Sequence, residues 1–204
     1  MSTFLCILLI AAGYLIGSIP WSLIIGKVFF KKDIRQYGSG NLGGTNAGRV
    51  LGKGVGLLVI VLDSMKAFLV MVIADLIEPS SLPYVGLAVC FGHCFPLFAN
   101  FKGGKAVACS YGYLLGLGIF VTGDVIFTFL YPLFIFLIVL CLSKMVSLSS
   151  MCGLISAAVM GFLTYRDTKL AIMVLLLAAF VIYRHKTNIL RILKKEESKV
   201  SYIK

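Results

Sequence analysis

The chain has 204 residues, of which 60% are hydrophobic and only 13% charged, and its mean hydropathy is +1.02. A water-soluble domain of this length needs a far more polar surface, so the composition excludes one. The formal net charge of +11 would suit an anionic surface or nucleic acid, but the basic residues gather in short segments between long apolar runs, and no nucleic-acid partner is expected.

Those runs are continuous rather than alternating, so they predict an all-α polytopic membrane protein and not a closed barrel. Seven transmembrane helices are expected, near 4–26, 54–76, 83–99, 106–122, 125–142, 150–165 and 169–184. The chain opens on MSTFLCILLIAAGYLIGS, which lacks a basic segment ahead of its apolar run. It therefore reads as a retained first span rather than a cleaved signal. Gly13 and Gly17, like Gly112 and Gly116, have the small-xxx-small spacing that lets helix backbones approach closely, a packing feature. In the second span Asp63 and Lys66 each cost about 2.5–3.5 kcal/mol at a helix centre. Three residues apart, they share a face and form an ion pair turned toward the bundle interior. No linker or soluble insertion interrupts the pattern, so residues 1–204 read as one integral domain, expected to act as a monomer.

The Lys/Arg distribution sets the expected orientation. Sixteen of the nineteen basic residues fall on one side, in 27–53, 102–105, at Lys144 and from Arg184 to Lys204. The positive-inside rule places that side in the cytoplasm and the N-terminus outside. Lys194, Lys195, Lys199 and Lys204 need no further role than this and contact with lipid headgroups.

Three segments on the basic side carry more than topology. The first, GSGNLGGTNAGR, interleaves Gly38, Gly40, Ser39, Asn41, Thr45 and Asn46 ahead of Arg49. The second, GHCFPLFANFKGGKAVA, holds His93 and has Lys102 and Lys105 on either side of Gly103 and Gly104. The third, YRHKTNILR, holds Arg184, His185, Asn188 and Arg191, the last three at a spacing that shares one helix face. Glycines let backbone N–H groups turn into a concavity suited to phosphate, the cations neutralise it, and Ser, Thr and Asn add donors. Together the segments predict a small-anion site.

The first segment also contains a literal G-x-G-x-x-G, at Gly38, Gly40 and Gly43. A dinucleotide turn needs a buried strand before it, a helix after it and an acidic residue about 20 positions on. Here FFKKDIRQY precedes it, and Asp63 lies midway along a membrane helix, so that reading fails. The six cysteines sit in or beside apolar runs, and most of them read as small buried hydrophobes. Cys90, His93 and Cys94 supply three ligands without a second motif, so neither a metal nor another cofactor is expected.

In this order the three segments resemble the bacterial acyl-phosphate-dependent glycerol-3-phosphate acyltransferase family, PlsY. Its G-S-G-N-x-G-A-T-N-x-x-R is matched by Gly38 to Arg49, with Gly44 in the usual Ala place. Its G-H-x-x-P-x-F-x-x-F-K-G-G-K-x-V-A-T is matched by Gly92 to Cys109, with Cys109 replacing Thr. Its R-H-x-x-N-I-x-R is matched by Arg184 to Arg191. The following G-x-E has Lys195 for Gly and keeps Glu197, and LDSMKA resembles the family's L-D-x-x-K-G.

The resemblance implies a seven-helix bacterial inner-membrane enzyme with its active site at the cytoplasmic face. It would transfer an acyl chain from acyl phosphate to the 1-hydroxyl of glycerol 3-phosphate, beside membrane lipid. By the same resemblance Ser39 and Arg49 contact phosphate, and Lys102, Gly103, Gly104 and Lys105 hold glycerol 3-phosphate. His185 and Asn188 orient substrate or take the proton of the attacking hydroxyl, a task the substrate phosphate could also perform. Gly38, Gly40, Asn41, Thr45, Asn46, His93, Arg184 and Arg191 complete the expected binding set. Neither His93 nor His185 has an Asp five residues on, so the H-x-x-x-x-D acyltransferase pair is absent. A transporter of small phosphate-bearing anions is the competing class, but the halves of the chain show no repeat and the site groups lie at one face rather than the midplane.

Overall fold

A computed structural model describes residues 3–200; Lys204 lies outside them. Among the described residues the only regular secondary structure is helix, with no strand, as lipid demands of a spanning backbone with no water to bond. It forms two compact units, Met1–Gly116 and Leu117–Lys204.

In the first unit the chain enters as α1 (Thr3–Gly17) and α2 (Trp21–Phe30). The sequence predicts one unbroken span here, and the structure corrects it. Proline has no N–H to donate and its ring clashes with the preceding turn, so the helix stops at Ser18 and resumes after Pro20. A short helix, α3 (Gly44–Leu51), lies inside the expected Gly-rich loop and packs on the long span α4 (Lys53–Ile77). α5 (Leu82–Cys94) and α6 (Val107–Gly116) complete the unit.

The small-residue spacing does the packing expected of it. Gly13 and Gly17 of α1 lie against the backbone of Val85 and Val89 on α5, while Gly112 of α6 lies against the Ser64 carbonyl of α4. A methyl group at Gly17 or Gly112 would overlap that backbone. Gly116 rests on the flexible side chain of Met71.

In the second unit two π-helical turns, Leu117–Val121 and Ile126–Leu130, lead into α7 (Tyr131–Ser143), α8 (Val146–Thr164) and α9 (Thr168–Arg184). The breaks expected at TGD and RDT are both present. Each has an aspartate at the start of the next helix, Asp124 accepting from Phe127 N at 3.0 Å and Asp167 from Lys169 N at 2.8 Å, the usual means of satisfying orphan N–H groups. α9 bends by 60° at His185 into α10 (Lys186–Leu193).

Among the described residues five helical stretches are long and apolar enough to cross a bilayer: Thr3–Phe30, Lys53–Ile77, Pro79–Ala99, Ile126–Ser143 and Val146–Thr164. The bent pair α9–α10 makes a sixth, and Val107–Val121 is a shorter apolar helix. The seven predicted elements fall on these helices, of which five, or six with the bent pair, are long and apolar enough to cross a bilayer. Leu76 and Leu142 are each 81% exposed, the inverse of a soluble fold and the condition of a lipid-facing surface.

Candidate functional site

The first polar segment begins just beyond α2. Asp33 starts a short turn over Ile34–Gln36, its Oδ1 accepting from Arg35 N at 3.1 Å, while Arg35 Nη2 lies 2.6 Å from Asp33 Oδ2 and Lys27 Nζ 3.6 Å from it. The hydrogen bonds from Arg35 hold the Asp33 carboxyl down to about 2. Gly38 and Gly40 follow at φ +60° and +67°, a region open to glycine because it has no Cβ.

Asparagines then brace this turn from within. Asn46 is buried, and its Oδ1 accepts from Ser39 N at 2.9 Å while its Nδ2 donates to the Ile34 and Tyr37 carbonyls, each at 3.2 Å. Asn41 Oδ1 accepts from Gly43 N at 3.0 Å. The buried hydroxyl of Ser22 donates to Leu42 O at 2.6 Å, tying the segment to α2. Left on the outside are Ser39, Thr45 and Arg49, the last two one helical turn apart on α3. Their side chains form no hydrogen bond or ion pair with any described residue.

The second segment closes the C-terminus of α5. Gly103 N donates to Cys94 O at 3.2 Å and Gly104 N to His93 O at 3.0 Å, satisfying carbonyls that a helix end leaves open. Over residues 100–106 the chain makes a compact turn with three non-glycine residues at positive φ: Asn100 (54°), Phe101 (58°) and Ala106 (60°). Each costs about 1–3 kcal/mol, a strain that tends to collect at functional sites. Lys102 is exposed and Lys105 partly so. The two segments meet through an apolar cluster of Leu23, Ile34, Leu42 and Ala99, which puts Ser39, Thr45, Arg49, Lys102 and Lys105 at one end of this unit.

Below the second segment lies a buried polar cluster. Lys66 Nζ is 2.8 Å from Asp63 Oδ1, the ion pair expected from the sequence, and 3.1 Å from His93 Nδ1. It also donates to Gly17 O at 3.0 Å and Ile19 O at 3.1 Å, the carbonyls freed where α1 breaks. Asp63 Oδ1 is 3.4 Å from His93 Nδ1. One ammonium thus joins α4, α5 and the α1–α2 break. Asp63, His93 and Cys109 place ligand-type atoms within 4.8 Å of one another, but the Lys66 ammonium already supplies the cation to this carboxylate and imidazole.

Two details differ from the sequence expectations. The glycine-rich backbone was expected to present N–H groups to phosphate. Instead the N–H groups of Ser39, Gly40, Gly43, Gly103 and Gly104 are taken by Asn46, Tyr37, Asn41, Cys94 and His93. Of the residues expected to bind, Asn46 uses both ends of its amide within the segment, Asn41 uses its Oδ1 there, and His93 Nδ1 joins the buried cluster. Residue type shows that an Asn has donors; it does not show which way they point.

The third segment belongs to the second unit. His185 sits buried at the α9–α10 bend, with Nδ1 2.8 Å from Val181 O. Asn188 Nδ2 donates to Glu197 Oε1 at 2.7 Å, and Arg191 Nε to Glu197 Oε2 at 3.1 Å. Ser147 Oγ donates to the same Oε1 at 2.7 Å, and Val200 N to Lys144 O at 2.8 Å. Glu197 therefore fastens the tail to α8 and α10 and fixes the Asn188 amide. Ser147 carried no sequence signal, whereas Glu197 was visible as the last position of the third motif. Arg184 is half-buried at the end of α9.

The family described as glycerol-3-phosphate acyltransferase matches residues 7–195. A relative so named from Bacillus subtilis (strain 168) is 47% identical over 197 residues, covering 96% of this chain and 98% of its own. The crystal structure of PlsY (YgiH), an integral membrane glycerol 3-phosphate acyltransferase, in its glycerol 3-phosphate form is similar at TM-score 0.87 and 34% identity over 96% of each chain. Its lysophosphatidic acid form is similar at TM-score 0.84 and 33% identity, over 96% of this chain and 95% of that one.

Proposed function

We propose that this chain, which belongs to the glycerol-3-phosphate acyltransferase family, takes its acyl group from acyl phosphate. The acyl carbon passes to the 1-hydroxyl of glycerol 3-phosphate, the acyl–phosphate bond breaks, and lysophosphatidic acid and inorganic phosphate leave. The observation that supports this best is that Ser39, Thr45, Arg49 and Lys102, whose side chains form no hydrogen bond or ion pair with a described residue, lie on two segments joined by the Leu23, Ile34, Leu42 and Ala99 cluster, the second of which also carries Lys105. Donor and acceptor both carry phosphate, and such a set of cations and hydroxyls suits dianions.

The chemistry asks little more of the protein. Acyl phosphate is an activated anhydride with a good leaving group, so the attacking alcohol needs positioning and charge stabilisation rather than a covalent nucleophile. Ser39 and Arg49 are assigned to phosphate, Lys102 and Lys105 to glycerol 3-phosphate, and Gly103 and Gly104 to the turn that carries those lysines. For His185 and Asn188 the assigned role is to orient substrate or take the hydroxyl proton. If His185 is the base, His185→Gln removes the acidic limb of the pH–rate profile; if the substrate phosphate is, the limb stays and only the rate falls.

The concentration of Lys and Arg at one side supports a bacterial inner-membrane orientation with the N-terminus outside and the site facing the cytoplasm. Residues 1–204 are read as one acyltransferase domain, active as a monomer. The deciding experiment offers purified protein acyl phosphate, acyl-CoA or acyl carrier protein together with glycerol 3-phosphate. Lysophosphatidic acid is expected from acyl phosphate alone. No product, together with proteoliposomes that accumulate phosphate compounds, would favour transport instead.

A further inference from the structure

Gly104 is buried against His93: a methyl group built on it would fall onto the imidazole, with Nε2 the first atom met. The ring cannot swing aside at no cost, because its other nitrogen, Nδ1, lies 3.1 Å from Lys66 Nζ and 3.4 Å from Asp63 Oδ1. Lys66 is itself fixed by its ion pair with Asp63 and by the carbonyls of Gly17 and Ile19. One edge of the imidazole is thus held by buried charge, and the other forms the wall on which the strained turn rests. Two residues from Gly104 on one side, and one on the other, are Lys102 and Lys105.

We propose that Asp63, Lys66 and His93 act as positioning residues for glycerol 3-phosphate binding, setting through the His93–Gly104 contact where the 100–106 turn holds Lys102 and Lys105. They touch no substrate themselves. The proposal rests on the assignment of that turn to glycerol 3-phosphate. It accounts for a charged pair kept inside a membrane protein at considerable cost, and for a glycine whose φ needs no glycine. The side chain excluded at 104 is excluded by the ring.

The test is a double-mutant cycle on the full-length protein in detergent, read as the Kd for glycerol 3-phosphate without any donor. Gly104→Ala is expected to weaken binding about tenfold in the native background and less than about twofold in a His93→Ala background, where the methyl has room. The same factor in both backgrounds, or native-like binding by Gly104→Ala alone, overturns the proposal. If Gly104→Ala yields no folded protein, folded yield reads the same cycle: the double variant recovers it, and a double variant equally lost overturns the idea. A second arm replaces the ion pair together, Asp63→Asn with Lys66→Met. Released from its clamp, the ring should tolerate Gly104→Ala better, and the KM for glycerol 3-phosphate should rise while that for acyl phosphate stays within about twofold. Equal rises in both KM values would mark a structural role only and overturn the proposal. Native binding of glycerol 3-phosphate without turnover from acyl phosphate would sink the donor assignment alone and leave the cycle interpretable.

Discussion

The two polar segments of the first unit reach similar ends by opposite means. Residues 37–51 use permissive backbone at Gly38 and Gly40 and neutral asparagine braces, and finish in a regular helix that sets Thr45 and Arg49 on one face. Residues 92–106 force Asn100, Phe101 and Ala106 into left-handed backbone and rest the turn on buried charge. A neutral brace costs little to bury once its hydrogen bonds are made, whereas a buried ion pair depends on both partners staying. The first segment should therefore lose function before stability, and the second stability and affinity together.

Lys66→Met is the largest way to break that contrast. It strands the Asp63 carboxylate and should cost about 3–5 kcal/mol of stability. Thermal unfolding in detergent checks this, and adding Asp63→Asn should restore part of the loss; a native midpoint for the single variant would show the cluster is not clamped. Next in size, Arg49→Ala should lower turnover by at least about a hundredfold, roughly 2.7 kcal/mol in the barrier, at an unchanged midpoint. Ser39→Ala should behave likewise but less severely, and wild-type rates from both would remove the first segment from the site.

Asn46→Ala sharpens the contrast from within the first segment. It leaves Ser39 N without its acceptor, takes one donor each from the Ile34 and Tyr37 carbonyls, and should cost about 2 kcal/mol. Turnover should fall with it, because Ser39 is no longer held; stability loss without rate loss would separate the brace from function. The smallest effect concerns Asp33. Its carboxyl is depressed in the folded state to about 2 by Arg35, so its contribution is full above its unfolded value and fades as the pH falls through about 4 to 2. Unfolding midpoints of native and Asp33→Asn protein should differ at neutral pH and converge near pH 2, and parallel curves would show the pair contributes nothing.

Much of this was legible beforehand for identifiable reasons. Lipid admits only apolar helices of sufficient length, so hydropathy located the spans and charge located their ends. Three-residue spacing on a helix paired Asp63 with Lys66, and four-residue spacing marked Gly13, Gly17 and Gly112 as contact points. The three motifs identify the family from the sequence alone. The break of α1 at Pro20 was less legible, because an apolar run continues through it and the carbonyls it frees are met by a lysine from another helix.

Partner choice depended on the fold. Asn46 and Asn188 carry donors a phosphate site wants, yet the structure spends them on the Ile34 and Tyr37 carbonyls and on Glu197, while Asn41 uses its Oδ1 as an acceptor for Gly43 N. His93 stood beside cysteines in sequence and beside Lys66 in space. Composition and periodicity determined a helical membrane protein with basic, glycine-rich segments between spans, because those properties act along the chain over a few turns. Which polar side chains face inward to hold a turn, and which stay outward, was decided only by tertiary structure, since a buried donor takes whatever acceptor the packed helices bring within 3 Å.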